Sequence, residues 1–224
     1  MQIKATSVDT VIIYFGDKID EQIALNVQKA YSNLLNLNLE GVYEIIPSYT
    51  SIYIHYDILY YDFSSFKELL TKKLDLNTTL KYCSKLINID VYYDKEVGFD
   101  LENISKKTSL SISEIIEIHS SKIYTVYAIG FLPGFAYLGD VSKKIDISRL
   151  DTPRKIVPKG SVAIANNQTT VYPQDSPGGW NIIGKTAYEF FDKNLENLSN
   201  LKVGNKVKFN PISKDEFIKQ GGVL

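Results

Sequence analysis

Apolar residues between positions 10 and 93 follow two spacings, one typical of strands and one typical of helices. Short runs rich in β-branched and aromatic residues predict strands at 10–15, 42–46, 52–56 and 87–93. Apolar residues recur every three or four positions over 19–35 and 66–74, which predicts two amphipathic helices. The resulting order, β-α-β-β-α-β, is the split order of a ferredoxin-like unit, with 87–93 as its last strand.

The pattern changes beyond about residue 94. Asp100 before LENISKK, and the capping-box spelling from Ser111 to Glu114, predict two short helices. Short β-like runs between Pro and Gly turns follow at 123–129, 161–165, 169–172 and 206–209, which predicts a small barrel or sandwich. We therefore expect an α+β chain, with a ferredoxin-like domain over residues 1–85 and a β-barrel domain over residues 86–224.

Composition narrows the class of protein. The 224 residues are 44% hydrophobic with a formal net charge of -1, which is typical of a soluble globular protein and argues against nucleic-acid or membrane-surface binding. The longest uncharged stretch, which contains residues 125–139, is too short for a spanning helix and is interrupted by Pro133. Cys83 has no partner for an internal disulfide, so we expect it to be a small buried apolar residue. The opening residues lack the apolar run of a signal peptide, which favours a reducing cytoplasm.

Residue types that are rare elsewhere concentrate between positions 130 and 185. Both arginines, Arg149 and Arg154, lie there, with the single tryptophan, Trp180, five of the seven prolines and seven of the thirteen glycines. A guanidinium group in a chain that otherwise uses lysine offers a flat, bidentate fork for a planar anion. The alternative is a structural arginine that hydrogen-bonds loop carbonyls.

Three familiar motifs have weak support. Residues 179–186, GWNIIGKT, fit the spelling of a phosphate-binding loop, but a turn precedes them and bulky residues fill the loop, so we expect a turn that leads into a strand. Ser176 lies in DSPGG, which is not the elbow of a nucleophilic serine. Two histidines and one cysteine, widely separated, cannot assemble a zinc-type site, so no metal is expected.

His119 ends the second predicted helix of this half. Its imidazole could favour the negative end of the helix dipole, or it could act as a general base that faces the loops. The sequence leaves both interpretations open.

Two segments carry a resemblance to a known family, and they read HSSKIYTVYAIGFLPGFAYLGD and TPRKIVPKGSVAIANNQTTVYPQDSPGGWNIIGKT. They resemble the family that contains the B subunit of bacterial 5-oxoprolinase, its sporulation-kinase-inhibitor relatives and part of the carboxyltransferase domain of urea amidolyases. The resemblance extends to IIPSYTSIYIHYD and GFDLENIS, so it covers nearly the whole chain. It implies that the barrel is cyclophilin-like and follows a ferredoxin-like domain.

The resemblance also implies an activity, the ATP-dependent opening of 5-oxo-L-proline to L-glutamate with separate A and C subunits. The lactam amide is resonance-stabilised, and phosphorylation of its carbonyl oxygen would create a leaving group for attacking water. ATP is expected to bind the assembled complex, with no certain site on this chain.

The matched positions imply a set of candidate site residues. Arg154 and Lys159 would contact anions, Gln168 and the amides around Gly178 and Gly179 would donate hydrogen bonds, and His119 would carry a proton. Tyr172 and Trp180 would form pocket walls, together with Phe135 of the GFLPGFAYLGD segment. Phe131 and Tyr137 of the same segment are large apolar groups among Gly and Pro, so we expect this segment and TPRKIVPKG to converge on one concave face.

Two other classes of function stay open. The chain could inhibit a sensor histidine kinase by docking through its barrel, as the inhibitor relatives do, or it could be a free-standing binding module for a small amide or acid. Because the motifs are shared, the sequence alone separates these possibilities poorly.

Overall fold

The computed structural model describes residues 1–76, 84–194 and 199–224. It divides into two compact units, Met1–Ser84 and Lys85–Leu224. Within the described residues, no helix combines the length and apolar character that crossing a bilayer requires. Cys83, which we expected to be buried, lies outside the described residues.

The first unit is a four-stranded antiparallel sheet with two helices. Its elements are β1 (Gln2–Ala5), β2 (Thr10–Tyr14), α1 (Glu21–Leu37), β3 (Val42–Ser48), β4 (Ser51–Tyr56) and α2 (Phe63–Lys73). The strands lie in the order β1-β2-β4-β3. Alternate residues of β2 and β4 are fully buried with one face of each helix, as their apolar periodicity predicts; examples are Val11, Ile13, Ile52, Ile54, Leu34 and Phe66.

The prediction that the strand at 87–93 completes the ferredoxin-like unit is wrong. The strand predicted at 87–93 forms as β5 (Leu86–Tyr92), but it pairs with strands of the second unit. The edge beside β2 is occupied by β1, which pairs with it in register from Gln2 opposite Tyr14 to Ala5 opposite Val11. The chain therefore fills that edge from its N-terminal side. The α+β class itself is confirmed.

The second unit contains the remaining elements. They are β5, α3 (Leu101–Thr108), α4 (Ile112–Ser121), β6 (Ile123–Ile129), β7 (Ala136–Gly139), a 3-10 turn (Lys143–Ile145), β8 (Arg154–Val157), β9 (Ser161–Ala165), β10 (Gln168–Val171), β11 (Ser176–Gly178), β12 (Asn181–Lys185), β13 (Lys206–Ile212) and α5 (Lys214–Lys219). Seven strands close a barrel in the order β10-β7-β6-β13-β5-β12-β9, while β8 and β11 form a separate two-stranded ribbon. The expected barrel is confirmed.

Each barrel strand contributes to the larger apolar core of this unit. Representative buried residues, one from each strand, are Ile89, Val126, Leu138, Val162, Val171, Ile183 and Val207. The strands pair antiparallel except β5 and β13, which run parallel from Leu86 opposite Lys206 to Tyr92 opposite Ile212. Against this barrel packs α4, which begins with the predicted capping box between Ser111 and Glu114.

The GWNIIGKT segment is a barrel strand. Trp180 precedes β12, and β12 pairs with β9 on one side and with β5 on the other. Gly184 lies where a Cβ atom would overlap the backbone of Tyr92. The glycine is therefore required by strand packing, and the expected strand is confirmed. The residues directly before the segment form strand β11 (Ser176–Gly178) rather than the expected turn.

Candidate functional site

A cavity of about 230 Å³ opens beside the β8–β11 ribbon. Its wall comes from the GFLPGFAYLGD segment, from the residues before β8 and from the residues around β11. The lining residues are Phe131, Phe135, Tyr137, Arg149, Pro153, Tyr172, Pro177, Gly178, Gly179 and Trp180. The cavity lining thus combines aromatic rings, two adjacent glycines and the guanidinium group of Arg149.

Phe135 is the centre of the aromatic wall. Its ring makes edge-to-face contacts with Phe131, Tyr137, Tyr172 and Trp180, with centroids 5.0 to 6.1 Å apart. Edge-to-face pairs at such distances are favourable beyond the area that they bury. Phe131, at the rim, has a φ of 76° in the left-handed region and is 64% exposed. The wall is therefore rigid at its base and open to solvent at its edge.

Two glycines bring the backbone close to the cavity. A Cβ atom at Gly178 would overlap the hydroxyl of Tyr172, which is itself buried, so only glycine fits there. Gly179 accepts a hydrogen bond at its carbonyl oxygen from the amide of Leu150, at 2.7 Å. This bond ties the segment that carries Arg149 to the opposite wall.

Arg149 supplies the positive charge of the cavity. Its Cζ atom lies 5.6 Å from the centre of the Trp180 ring, within the range of a cation–π contact. Burial raises the pKa values of Tyr137 and Tyr172, and the nearby Arg149 charge opposes that rise at both hydroxyls. Both tyrosines are consequently neutral hydrogen-bonding groups at neutral pH.

Arg154 lies beside the cavity rather than in its lining, and its charge also opposes the rise that burial causes in the pKa of Tyr172. Its Nη2 donates to Asp100 Oδ1 at 2.8 Å, and the Asp100 side chain is 6% exposed against 27% for Arg154. Arg154 is at the start of β8, where it pairs with Gly178 of β11, but its side chain does not line the cavity. The structure thus gives this arginine a carboxylate of its own chain as a partner, rather than the loop carbonyls that we considered as an alternative.

Asp100 was predicted only as the residue before a short helix. Its side chain does not cap α3. Instead, Oδ2 accepts from the amide of Ile182 at 2.7 Å, while the Asp100 amide donates to the Ile182 carbonyl at 3.0 Å. Asp100 thereby joins α3, β12 and Arg154 at one buried point. In the sequence, only its place in the GFDLENIS segment could have indicated this structural role.

Lys159 and Gln168 also lie away from the cavity lining. Lys159 Nζ contacts both carboxylate oxygens of Glu189, at 2.7 and 3.0 Å, on the exposed surface. Gln168 begins β10, opposite Gly139 of β7 and Ala165 of β9. Neither position brings these side chains to the aromatic wall.

His119 is fully buried between α4 and the barrel, where it stacks on Phe209 at 4.8 Å. Thr169 Oγ1 donates to the Ala163 carbonyl, so it accepts from His119 Nε2, at 2.9 Å. This leaves His119 Nδ1 as the acceptor for the Tyr93 hydroxyl, at 2.7 Å. Burial lowers the pKa of His119 to about 3, which keeps the ring neutral.

The predicted site residues therefore separate into two groups. Phe135, Tyr172, Gly178, Gly179 and Trp180 meet at one cavity, and Phe131, Tyr137 and Pro153 join them from the two segments that were expected to converge. The remaining candidates, His119, Arg154, Lys159 and Gln168, lie outside its lining. Among the described residues, no cluster of His, Cys, Asp and Glu is arranged to hold a metal ion.

Arg149 was not among the predicted site residues. Its rarity as one of only two arginines was the available signal, but nothing in the sequence distinguished it from Arg154. Pro177 was missed in the same way, as one proline among five in the segment.

Comparison with known proteins gives consistent results. The family "Carboxyltransferase domain, subdomain C and D" matches residues 1–201. The B subunit of the 5-oxoprolinase of Bacillus subtilis (strain 168) is 35% identical over 227 residues, which cover 96% of this chain and 95% of that protein. The protein of the same name from Haemophilus influenzae is 43% identical over 150 residues, or 66% of this chain and 70% of that protein.

A solved structure shows the same fold within a longer chain. The crystal structure of TTHA0988 matches with a TM-score of 0.81 and 29% identity over 92% of this chain. This chain spans only 40% of that one. The extent of the sequence match and the shared fold place this chain in the carboxyltransferase domain, subdomain C and D, family.

Proposed function

We propose that this chain is the B subunit of a 5-oxoprolinase, which opens 5-oxo-L-proline to L-glutamate in a complex with A and C subunits and with consumption of ATP. The observation that carries the proposal is the 35% identity to the B subunit of the Bacillus subtilis enzyme, because it spans nearly the full length of both chains. The relative from Haemophilus influenzae, which has the same name, supports it.

The cavity supports a small cyclic substrate on this chain. Pockets for drug-sized ligands have volumes of about 300–1,000 Å³, and this cavity, at about 230 Å³, is smaller. Its aromatic wall suits a compact ring of the size of a single amino acid. In this proposal Phe135, Tyr172 and Trp180 form the walls, while Gly178 and Gly179 allow the ligand to approach the backbone.

ATP fits this chain poorly at the segment that suggested it. GWNIIGKT forms strand β12 rather than a loop that opens a helix, so its amides are directed into the barrel ladders. The small cavity leaves little room for a nucleotide. We therefore assign ATP to another part of the complex.

The four candidates outside the cavity have other roles in the proposal. Arg154 braces the β8–β11 ribbon through Asp100, and Lys159 forms a surface ion pair with Glu189. His119 is a neutral residue of the packing between α4 and the barrel rather than the proton carrier. Gln168 is a residue of the barrel strand β10.

The proposal is tested by purification from the native cell. Tagged chain should carry untagged A and C subunits with it, and the complex should release glutamate from 5-oxoproline only when ATP is present. The chain alone should be inactive. Steady turnover by the chain alone would contradict the subunit assignment, and a co-purified complex that cannot cleave 5-oxoproline would contradict the reaction.

A further inference from the structure

Among the described residues, the cavity lining contains one charged group. Of its ten lining residues, only Arg149 carries a charge, and the others are aromatic, proline or glycine. Arg149 is exposed, so a negatively charged group can reach it from solvent while the rest of a ligand contacts the rings of the cavity. The ligand that suits this wall therefore carries a negative charge at one end and an apolar body at the other.

No carboxylate in the described part of the chain neutralises Arg149. Within residues 1–76, 84–194 and 199–224, the ion pairs involve other cations, and Arg149 contacts the Trp180 ring. Arg154 provides the comparison, since the carboxylate of Asp100 already occupies one edge of its guanidinium group. Of the two arginines, Arg149 is the one with a fork available for a ligand.

The contact with Trp180 also holds the Arg149 guanidinium group beside the cavity, with Cζ 5.6 Å from the ring centre. The N–H donors of a guanidinium group lie in its own plane and form a fixed fork. A carboxylate accepts two such donors side by side. The hydrogen bond from Leu150 to Gly179 fixes the adjacent backbone, which limits the positions that the fork can reach.

We propose that Arg149 binds the carboxylate of a small cyclic acid whose ring occupies the aromatic cavity. This inference rests on the proposed function and names the subsite within it, so that the ligand is the carboxylate end of 5-oxoproline. The lactam ring then lies against Phe135 and Trp180, and the Tyr137 and Tyr172 hydroxyls flank the ring.

The chain contains its own reporter for this site. Trp180 is the single tryptophan, and it lines the cavity beneath Arg149. Its fluorescence should therefore respond to a ligand in this cavity without interference from other tryptophans. The full chain is titrated with 5-oxoproline and with 2-pyrrolidinone, which has the same lactam ring but no carboxylate.

Three variants separate the effect of the Arg149 charge, the effect of its planar fork and the effect of removing an unrelated cation. Arg149→Met removes the guanidinium group, Arg149→Lys keeps the charge without the fork, and Lys155→Met removes an exposed cation that is outside the cavity lining. Because Arg149 is exposed, its replacement should not impair folding, and the far-ultraviolet circular dichroism spectrum checks this.

The wild-type chain should bind 5-oxoproline at least about tenfold more tightly than 2-pyrrolidinone, the fold-change expected of a charge-assisted hydrogen bond. Arg149→Met should remove this preference, Arg149→Lys should retain part of it, and Lys155→Met should leave it unchanged. The proposal is overturned if neither ligand changes the fluorescence, if both bind equally to the wild type, or if Arg149→Met keeps the preference.

A second measurement distinguishes this inference from the proposed function. In the assembled complex, Arg149→Met should raise the KM for 5-oxoproline by about tenfold or more, for the same reason. If the wild-type complex fails to cleave 5-oxoproline while the wild-type chain still binds it with the expected preference, the proposed function fails and the carboxylate site stands. If the complex is active and Arg149→Met leaves its KM unchanged, the site fails and the function stands.

Discussion

The buried pair between Arg154 and Asp100 gives the sharpest stability prediction. Arg154→Met would leave the Asp100 carboxylate, 6% exposed, with the Ile182 amide as its remaining partner among the contacts described above. Breaking a fully buried ion pair by removing one partner costs about 3–5 kcal/mol. Arg154 is 27% exposed, so water can reach the stranded carboxylate, and its Nη1 is buried without a hydrogen bond, so truncation also removes an unsatisfied donor. We therefore expect a smaller loss, about 2–3 kcal/mol in the free energy of unfolding.

Urea unfolding followed by Trp180 fluorescence measures this loss. Trp180 lies in the same unit as Arg154, so its signal reports that unit even if the two units unfold separately. The matched control is Lys159→Met, which removes an exposed ion pair with Glu189 from the same unit. Exposed pairs are worth less than about 1 kcal/mol, so the control should barely shift the transition.

A double-mutant cycle then isolates the pair itself. With Asp100→Asn in place, no buried charge remains to be stranded, so adding Arg154→Met should cost about 2 kcal/mol less than it does alone. Additive effects of the two changes, or equal costs for Arg154→Met and Lys159→Met, would refute the reasoning that Arg154 acts as a brace.

Three further predictions concern the rest of the barrel unit. Burial lowers the pKa of His119 to about 3, so between about pH 6.5 and pH 3 the unfolded chain binds a proton at this residue and the folded chain does not. The free energy of unfolding should therefore fall as the pH is lowered through this range, by on the order of 4 kcal/mol. Urea titrations at several pH values should show a flatter profile for His119→Gln, and an unchanged slope would contradict the assignment. Gly178→Ala should destabilise the unit by about 1–3 kcal/mol, because the added Cβ atom would meet the buried Tyr172 hydroxyl. Gly179→Ala should be nearly neutral, because its Cβ atom would have no neighbour closer than 3.6 Å. Thermal unfolding of the two variants tests this difference. Lys185→Ala should leave the ATP affinity of the assembled complex unchanged, because Lys185 ends a barrel strand, and a large loss in an ATP titration would restore the phosphate-loop interpretation.

Periodicity located most strands of the fold but could not assign every strand its partners. The apolar pattern at 87–93 correctly predicts a strand, yet the same pattern suits the edge of a four-stranded sheet and the wall of a barrel. The N-terminal strand β1 was not predicted at all, since its four residues, QIKA, lie at a sheet edge and are largely exposed. Strand pairing depends on contacts far apart in sequence, which a local pattern does not contain.

The site shows the same limit. Rarity marked both arginines, but their roles differ because a carboxylate 54 residues away pairs with Arg154, while an indole lies beneath Arg149. His119 has the local signal of a residue at a helix end, and its burial against the barrel, where it meets Thr169 from 50 residues away, makes it a neutral group. The rings of the GFLPGFAYLGD segment were predictable because a Gly- and Pro-rich segment with large rings has few ways to bury them. The family resemblance, rather than the composition, suggested Tyr172, Gly178, Gly179 and Trp180.

The parallel pairing of β5 and β13 has a consequence for how the barrel is made. These strands come from opposite ends of the second unit, and Asp90 and Asn210, which they bring together, are 120 residues apart. During synthesis, β5 and β6 both lack their shared neighbour until β13 has emerged, so each presents an unpaired edge that can recruit another chain. Closing so long a loop is also slow. We therefore expect amide protection of β5 and β6 to appear late in pulse-labelled refolding, so that this family member is most vulnerable to aggregation just before its last strand is added.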